Sequence, residues 1–224
     1  VRCVIQLDDK GNVYAYSRTG KPWLNIAHIL EDLKPSFDLN PDMILDGELY
    51  NHDLRDNFEK IISLVRKQKP TESDRLDSKE LVQFHCYDYA NTEDSYSIRM
   101  NNLACSDFYS YCVKYVKTNL VLRMDDARVY HSRNLANGYE GSILRLDGPY
   151  QRKRSYNLQK FKDFHDTEAL IVGYEEGKGK RLGTIGKFLM QDDDGNQFGC
   201  PPGKGYNYKD LADILNNIHD YIGQ

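Results

Sequence analysis

Three stretches of this chain carry side chains that could do chemistry together. Leu45-Asp-Gly-Glu-Leu-Tyr50 holds two acids two positions apart. Asn137-Gly-Tyr-Glu-Gly-Ser-Ile-Leu-Arg145 sets a glutamate between glycines and runs it into a short apolar segment. Fifteen residues past Arg145 come Lys160-Phe-Lys162. Acids from two segments and alternating lysines from a third suit a site for a nucleoside triphosphate and its divalent cation. Carboxylates address ribose hydroxyls and the metal, and ammonium groups address phosphates.

Each stretch has its own physical logic. On a strand, Asp46 and Glu48 point to one face, where they suit a ribose contact and a metal contact. Taken singly, Asp-Gly-Glu also fits two acids facing solvent at a strand end. Gly138 and Gly141 let backbone approach a ligand closely, with Glu140 at the mouth of the strand. Lys160 and Lys162 share a face and repel each other unless an anion sits between them. A triphosphate supplies that anion; a solvated basic strand is the plain alternative. Phe84-His-Cys-Tyr-Asp-Tyr89 is aromatic-rich. An exposed ring there could stack on a purine, worth roughly 1–3 kcal/mol, while most of its rings are expected in the core.

The elements that must position these residues follow from periodicity and turn residues. Cys3–Leu7 and Val13–Tyr16 read as a hairpin across Asp8–Asn12. Ser17–Pro22 is a polar loop. Trp23–Leu33 has a helical period that Pro35 is expected to stop. Met43–Tyr50 reads as a strand, and Asp53 to about Lys67 as a helix. Thr71–Glu80 reads as a polar surface loop, and Leu81–Ala90 as a strand. Ile98–Val116 reads as a helix with a stripe through Leu103, Phe108, Tyr111, Cys112 and Tyr115. Asn119–Arg123, Ala127–His131, Gly141–Leu146 and Leu158–Phe161 read as strands. Strands and helices mix without strict alternation, which predicts an α+β fold of mostly antiparallel sheets. Past Phe164 the pattern changes. Glu168–Tyr174, Lys187–Gln191 and Gln197–Cys200 read as short strands between glycine-rich turns, followed by a helix over Tyr208–Tyr221. This suggests the start of a small β-barrel. The expected division is residues 1–164 and 165–224.

Composition bounds the rest. The 224 residues are 40% hydrophobic and 29% charged, ordinary for a water-soluble globular chain with room for a real core. No apolar run approaches the roughly 18 residues of a membrane span, so no membrane association is expected. The five cysteines include no Cys-x-x-Cys spacing, which favours free thiols and a reducing cytoplasm. Net charge is −4, yet Gln151–Lys187 holds nine basic against five acidic residues. A basic zone on an acidic body fits phosphate binding at one face.

An ordered series makes the pattern specific: Ser17-Arg-Thr-Gly20, Leu45-Asp-Gly-Glu48, Cys86-Tyr-Asp88, Glu140-Gly-Ser-Ile-Leu-Arg145 and Leu158-Gln-Lys-Phe-Lys162. It resembles the ATP-dependent DNA ligases, small phage-type ones especially, within the covalent nucleotidyltransferases. Gly173–Gly186 resembles the opening of the ligase OB-fold. The resemblance implies an adenylation domain followed by an incomplete OB-fold. It also implies ATP, a covalent AMP intermediate, magnesium, nicked duplex DNA as partner, and a monomer. By the same resemblance Arg2 touches the ribose or nick end, and Arg18 grips the nick 5′-phosphate. Glu48 binds the ribose, with a share in the metal site, and Tyr87 stacks on adenine. Glu140 binds the metal, and Lys160 and Lys162 contact the α-phosphate. Arg152, Lys153, Arg154, Lys178, Lys180 and Arg181 touch the duplex backbone. The family opens with Lys-x-Asp-Gly-x-Arg, of which Val1-Arg2 matches only the last two places. The nucleophilic lysine is therefore expected four positions before Val1, with the chain a fragment broken at both ends. The alternatives are an RNA ligase or mRNA capping enzyme, a non-catalytic nick- or nucleotide-binding relative, and a plain OB single-strand binder.

Overall fold

Alternation along the first strand sets the architecture. The computed structural model describes residues 1–90, 93–106, 110–163 and 168–224. In it, buried Cys3 and Ile5 alternate with half-buried Arg2 and Val4 along β1 (Arg2–Leu7). β2 (Val13–Tyr16) returns antiparallel on one side of β1, and β3 (Leu45–Tyr50) lies antiparallel on the other. β4 (Gln83–Tyr89) pairs antiparallel with β3, and β5 (Val113–Tyr115) pairs parallel with β4. The sheet order is β2-β1-β3-β4-β5.

One face of this sheet carries Cys3, Ile5, Leu45, Leu49, Phe84 and Cys86 into the core. There they join Ile29, Leu33 and Phe37 of α1 (Ala27–Leu39) and Ile61, Leu64 and Val65 of α2 (Phe58–Val65). By the pleat, the opposite face carries Arg2, Asp46, Glu48, Tyr50 and His85. α3 (Glu72–Leu81) and α4 (Tyr96–Cys105) flank the sheet. α5 (Met124–Ala136) then leads into a two-stranded sheet of β6 (Ser142–Arg145) and β7 (Leu158–Phe161).

The chain divides into two compact units, Val1–Lys162 and Asp163–Gln224. The second contains an antiparallel sheet of order β10-β9-β8, from β8 (Leu170–Glu176), β9 (Ile185–Gln191) and β10 (Gln197–Cys200). α6 (Tyr208–Asn216) places Leu211 and Ile214 with Ile185 in its small core. The α+β class holds. Among the described residues the second unit has three strands, which do not amount to a closed barrel.

Five expectations fail, each for a physical reason. Pro35 sits inside α1 instead of stopping it. Pro35 and Glu31, the residue whose carbonyl it leaves without a donor, are both exposed, so the break in the ladder falls on the outer side of the helix while Phe37 extends the buried stripe. Thr71–Glu80 is not a loop: Thr71 and Asp74 form a reciprocal capping box that starts α3. The helix expected through Val116 ends at Cys105, and Val113–Tyr115 joins the sheet as β5. Pairing with β4 outweighs the helical period, and Phe108 lies outside the described residues. Finally, 119–123 is not a strand, and Ala127 and His131 are the buried i,i+4 pair of α5, whose first turn holds Asp125 and Asp126.

Gly47 is a steric requirement of this sheet. A Cβ there would lie 2.5 Å from the His85 carbonyl oxygen and 2.5 Å from the Phe84 ring. Both neighbours are fixed, one as backbone and one as a fully buried ring. Gly47→Ala is expected to destabilise the fold by about 2–3 kcal/mol in urea unfolding, the cost of overpacking a close contact.

Candidate functional site

The site is built on the face of the five-stranded sheet opposite the apolar core. β4 carries one extra residue there: Asp88 pairs with Asp46 and Cys86 with Gly47, so Tyr87 has no cross-strand partner of its own. This bulge brings Tyr87 and Asp88 to the neighbourhood of Asp46. The Tyr87 hydroxyl donates to Asp46 Oδ1 at 3.2 Å. Arg2 donates to the same carboxylate through Nε at 3.0 Å and Nη2 at 2.9 Å, and the Tyr150 hydroxyl donates to Oδ2 at 2.7 Å. Burial, with the Asp46 charge beside them, raises the Tyr87 and Tyr150 hydroxyls, so both stay protonated donors. Asp46 is thus buried and fully engaged, whereas Glu48, on the same face, has a side chain 52% exposed, 3.9 Å from the Val1 nitrogen. The acidic pair shares a face as expected but not a role.

Asp88 is the second buried carboxylate. Arg99 of α4 donates to it through Nε at 2.7 Å, and Arg145 at the end of β6 donates from the other side. The Arg145 guanidinium also lies over the Tyr87 ring at 5.3 Å and over the Tyr96 ring at 4.7 Å. Arg145 and Tyr150 are thereby the polar clasps between the β6–β7 region and the large sheet.

The β6–β7 end holds the remaining chemistry. α5 closes in a Schellman turn: Gly138 N–H donates to the Leu135 carbonyl, Tyr139 N–H donates to the Asn134 carbonyl, and Gly138 takes φ +83°. Glu140 follows, and Gly141 lies so close to β7 that a Cβ would meet the Phe161 carbonyl at 2.5 Å. Lys162 donates to Glu140 in an ion pair, and that contact, more than the more distant Lys160, holds the Glu140 carboxyl below its usual range. Burial chiefly raises the Tyr50 hydroxyl; Tyr139, Glu140 and Glu48 raise it further, and Arg55 opposes them. Glu140, Lys162 and, at longer range, Lys160 are thus grouped at the β6–β7 end, while Glu48 stands on β3.

Residues 1–162 match the ATP dependent DNA ligase domain family. The chain belongs to that family. A DNA ligase of African swine fever virus is 30% identical over 196 residues, covering 83% of this chain and 45% of the viral protein. The DNA ligase of Enterobacteria phage T4 is 23% identical over an alignment of 274 residues, covering 100% of this chain and 56% of the phage protein. The solved structure of Pmar-Lig_PreS3 matches at a TM-score of 0.74 and 21% identity, covering 100% of this chain and 54% of that one. The chain spans about half the length of the curated relatives it matches.

Within this ligase-family domain, Arg18 stands exposed at the tip of the turn that Ser17 closes by accepting from Gly20 and Lys21. Arg152, Lys153 and Arg154 are exposed between β6 and β7, with Arg152 within electrostatic range of Tyr16. Lys178, Lys180 and Arg181 are exposed at the 3₁₀ turn Gly179–Arg181 of the second unit. No cluster of three or more His, Cys, Asp or Glu side chains among the described residues is placed to hold a metal by itself. Glu140 and Glu48 suit a cation that brings its remaining oxygens from phosphate and water, which is how magnesium commonly binds beside nucleotides. No helix among the described residues is long and apolar enough to cross a membrane.

Sequence reasoning missed Arg99, Tyr150 and the clasp role of Arg145. An arginine inside a helix and a tyrosine in a loop give no periodic signal of burial, and their partner carboxylates are far away in sequence.

The two acids Asp88 and Glu140 differ in burial and so in what their loss costs the fold. Asp88→Ala leaves Arg99, only 3% exposed, without its carboxylate; the expected cost is about 3–5 kcal/mol in urea unfolding. Glu140→Ala removes an ion pair whose carboxylate is 86% exposed and is expected to shift stability by less than about 0.5 kcal/mol in the same measurement.

His85 adds a pH dependence. Burial first, then Lys114 and His52, depress its pKa to about 4. The unfolded chain binds this proton below about pH 6.5 and the folded chain does not, so stability is lost as pH falls from 6.5 towards 4. The loss from this group is expected to reach roughly 3 kcal/mol, and unfolding curves of His85→Gln are expected to lack that part of the slope.

Proposed function

We propose that the chain is the nucleotide-binding core of an ATP-dependent enzyme that seals nicks in duplex DNA. The observation that best supports this is the Glu140–Lys162 pair with Lys160 beside it, at the end of a hairpin clasped over the Asp46 and Asp88 face. An exposed ion pair is cheap to open. A triphosphate with its cation satisfies both partners at once: phosphate oxygens take the ammonium groups, and the metal takes the carboxylate. Magnesium, when bound, neutralises charge on those phosphates. Family membership and the ligase relatives point to the same chemistry.

In this reading Lys160 and Lys162 hold the α-phosphate, and Glu140, with Glu48 farther out, holds the cation. Glu48 and Arg2 address the ribose side, and Tyr87 offers a ring face to adenine. In this reading the nucleophile is the lysine of the family's Lys-x-Asp-Gly opening. Its amine attacks the α-phosphorus of ATP, pyrophosphate leaves, and a lysyl-AMP remains. AMP passes to the 5′-phosphate of the nick, the neighbouring 3′-hydroxyl attacks that phosphate, and AMP departs. Charge builds on phosphate oxygens at each step, so positioned cations do most of the work. Arg18, Arg152, Lys153 and Arg154 track the duplex backbone. Lys178, Lys180 and Arg181 do the same from a second domain that we read, from about residue 165, as part of an OB-fold. Such contacts are blind to sequence and weaken with salt.

The test is nick sealing by a form with Lys-x-Asp-Gly ahead of Val1, supplied with ATP, magnesium and singly nicked duplex DNA. Lys160→Ala and Glu140→Ala are each expected to abolish sealing while the fold persists. Near-normal sealing by either variant overturns these roles, and preference for nicked RNA or for GTP overturns the substrate assignment.

A further inference from the structure

One imidazole ties the loop that presents Glu140 to β3 from outside its own hairpin. The Schellman turn leaves the Asn137 carbonyl outside the helical ladder, and His52 Nε2 lies 2.9 Å from it. A carbonyl only accepts, so Nε2 carries the proton and donates. Nδ1 then accepts from the Tyr50 hydroxyl at 2.8 Å. The same ring stacks on Tyr139, with centroids 4.3 Å apart and planes at 28°. His52 therefore grips the residues on both sides of Gly138, and Glu140 is the next residue along. Its other anchor, Tyr50, sits two positions past Glu48 on β3 and packs edge-on against His85 at 5.2 Å.

Without this ring, the segment from Asn137 to Glu140 keeps three amide bonds of the helix terminus, the Arg55 side chain against Gly138 and the ion pair of Glu140 with Lys162. Nothing else recorded for the described residues ties that turn to β3. We infer that His52 is a positioning residue: it fixes the Glu140 carboxylate relative to Glu48 by clamping Asn137 and Tyr139 to Tyr50. The inference deepens the nucleotide-site reading above and rests on it for its catalytic consequence. The clamp itself is independent of that reading.

Two measurements separate the clamp from the function. The first is amide hydrogen exchange at residues 137–141 in the chain itself, which needs no catalysis. His52→Ala is expected to speed exchange there by roughly tenfold, one lost hydrogen bond and one lost ring contact. His52→Gln, whose amide can still donate to Asn137 and accept from Tyr50, is expected to recover most of the protection. Tyr50→Phe, which removes only the hydroxyl, is expected to fall between them. The second is a magnesium titration of self-adenylylation in the form carrying Lys-x-Asp-Gly. His52→Ala is expected to raise the half-saturating magnesium concentration roughly tenfold, as loss of a group that orients a metal ligand does. The KM for nicked DNA is expected to stay unchanged, and His52→Gln to restore the magnesium response. Unchanged exchange at 137–141 in His52→Ala, or a Gln variant no better than Ala, overturns the clamp. Altered exchange with an unchanged magnesium response overturns its link to Glu140. A parent form that does not adenylylate overturns the nucleotide reading and leaves the exchange result standing.

Discussion

A buried carboxylate shared by two guanidinium groups is the constraint on which the site region depends. Asp88 is fully buried, and Arg99 and Arg145 approach it from separate elements. One negative charge between two positive ones leaves an excess of one unit in a poorly solvated place. The structure offsets it with aromatic faces and carbonyls. Tyr96 lies under both guanidinium groups, Tyr87 under Arg145 and Tyr150 under Arg99, and the Gly148 carbonyl accepts from Arg99 at 3.0 Å. The same tyrosines that solvate this charge send two of their hydroxyls to Asp46. The two buried acids are therefore one network, and the β6–β7 hairpin stays on the sheet because the network needs partners from it.

This arrangement sorts the charged residues by burial. Asp46, Asp88 and Arg99 are enclosed and fully paired, and they hold geometry. Glu48, Glu140 and Lys160 are exposed, and the Glu140 ion pair with Lys162 stands in solvent. An enclosed pair cannot be opened by substrate without paying several kcal/mol, whereas an exposed one can. The excess positive charge near Asp88, with Lys160 on β7, also favours anions there.

Much of this was legible in the sequence where one local signal decided the outcome. The β1–β2 hairpin, the strand carrying Asp46 and Glu48, and the strands around Glu140 and Lys160 follow from alternation and turn residues. The acid-acid-lysine series picked out residues that the structure leaves exposed on or beside short strands, because such residues sit in short local motifs. Illegible were the places where two signals compete. Val113–Tyr115 carries both a helical and a strand period, and only the free edge of β4 decides between them. Pro35 reads as a stop unless one knows that its side of α1 faces water. The enclosed half of the site was illegible for another reason. Arg99 is 11 residues from Asp88 and Tyr150 is 104 from Asp46, and no local pattern announces a long-range polar contact.

The Asp46-Gly47-Glu48 triplet shows how closely the two halves are joined. Each of its residues answers a different demand. Asp46 must be acidic because Arg2, Tyr87 and Tyr150 converge on it from three other segments. Gly47 must lack a Cβ because β4 bulges opposite it and brings the His85 carbonyl and the Phe84 ring within contact. That bulge is also what frees Tyr87 from the pairing register and turns it towards Asp46. Glu48 alone is left to the solvent side of the strand. A three-residue signature that reads as a ligand motif is therefore one structural acid, one steric gap and one exposed acid. The exposed one can serve a ligand only because the other two have fixed the strand beneath it.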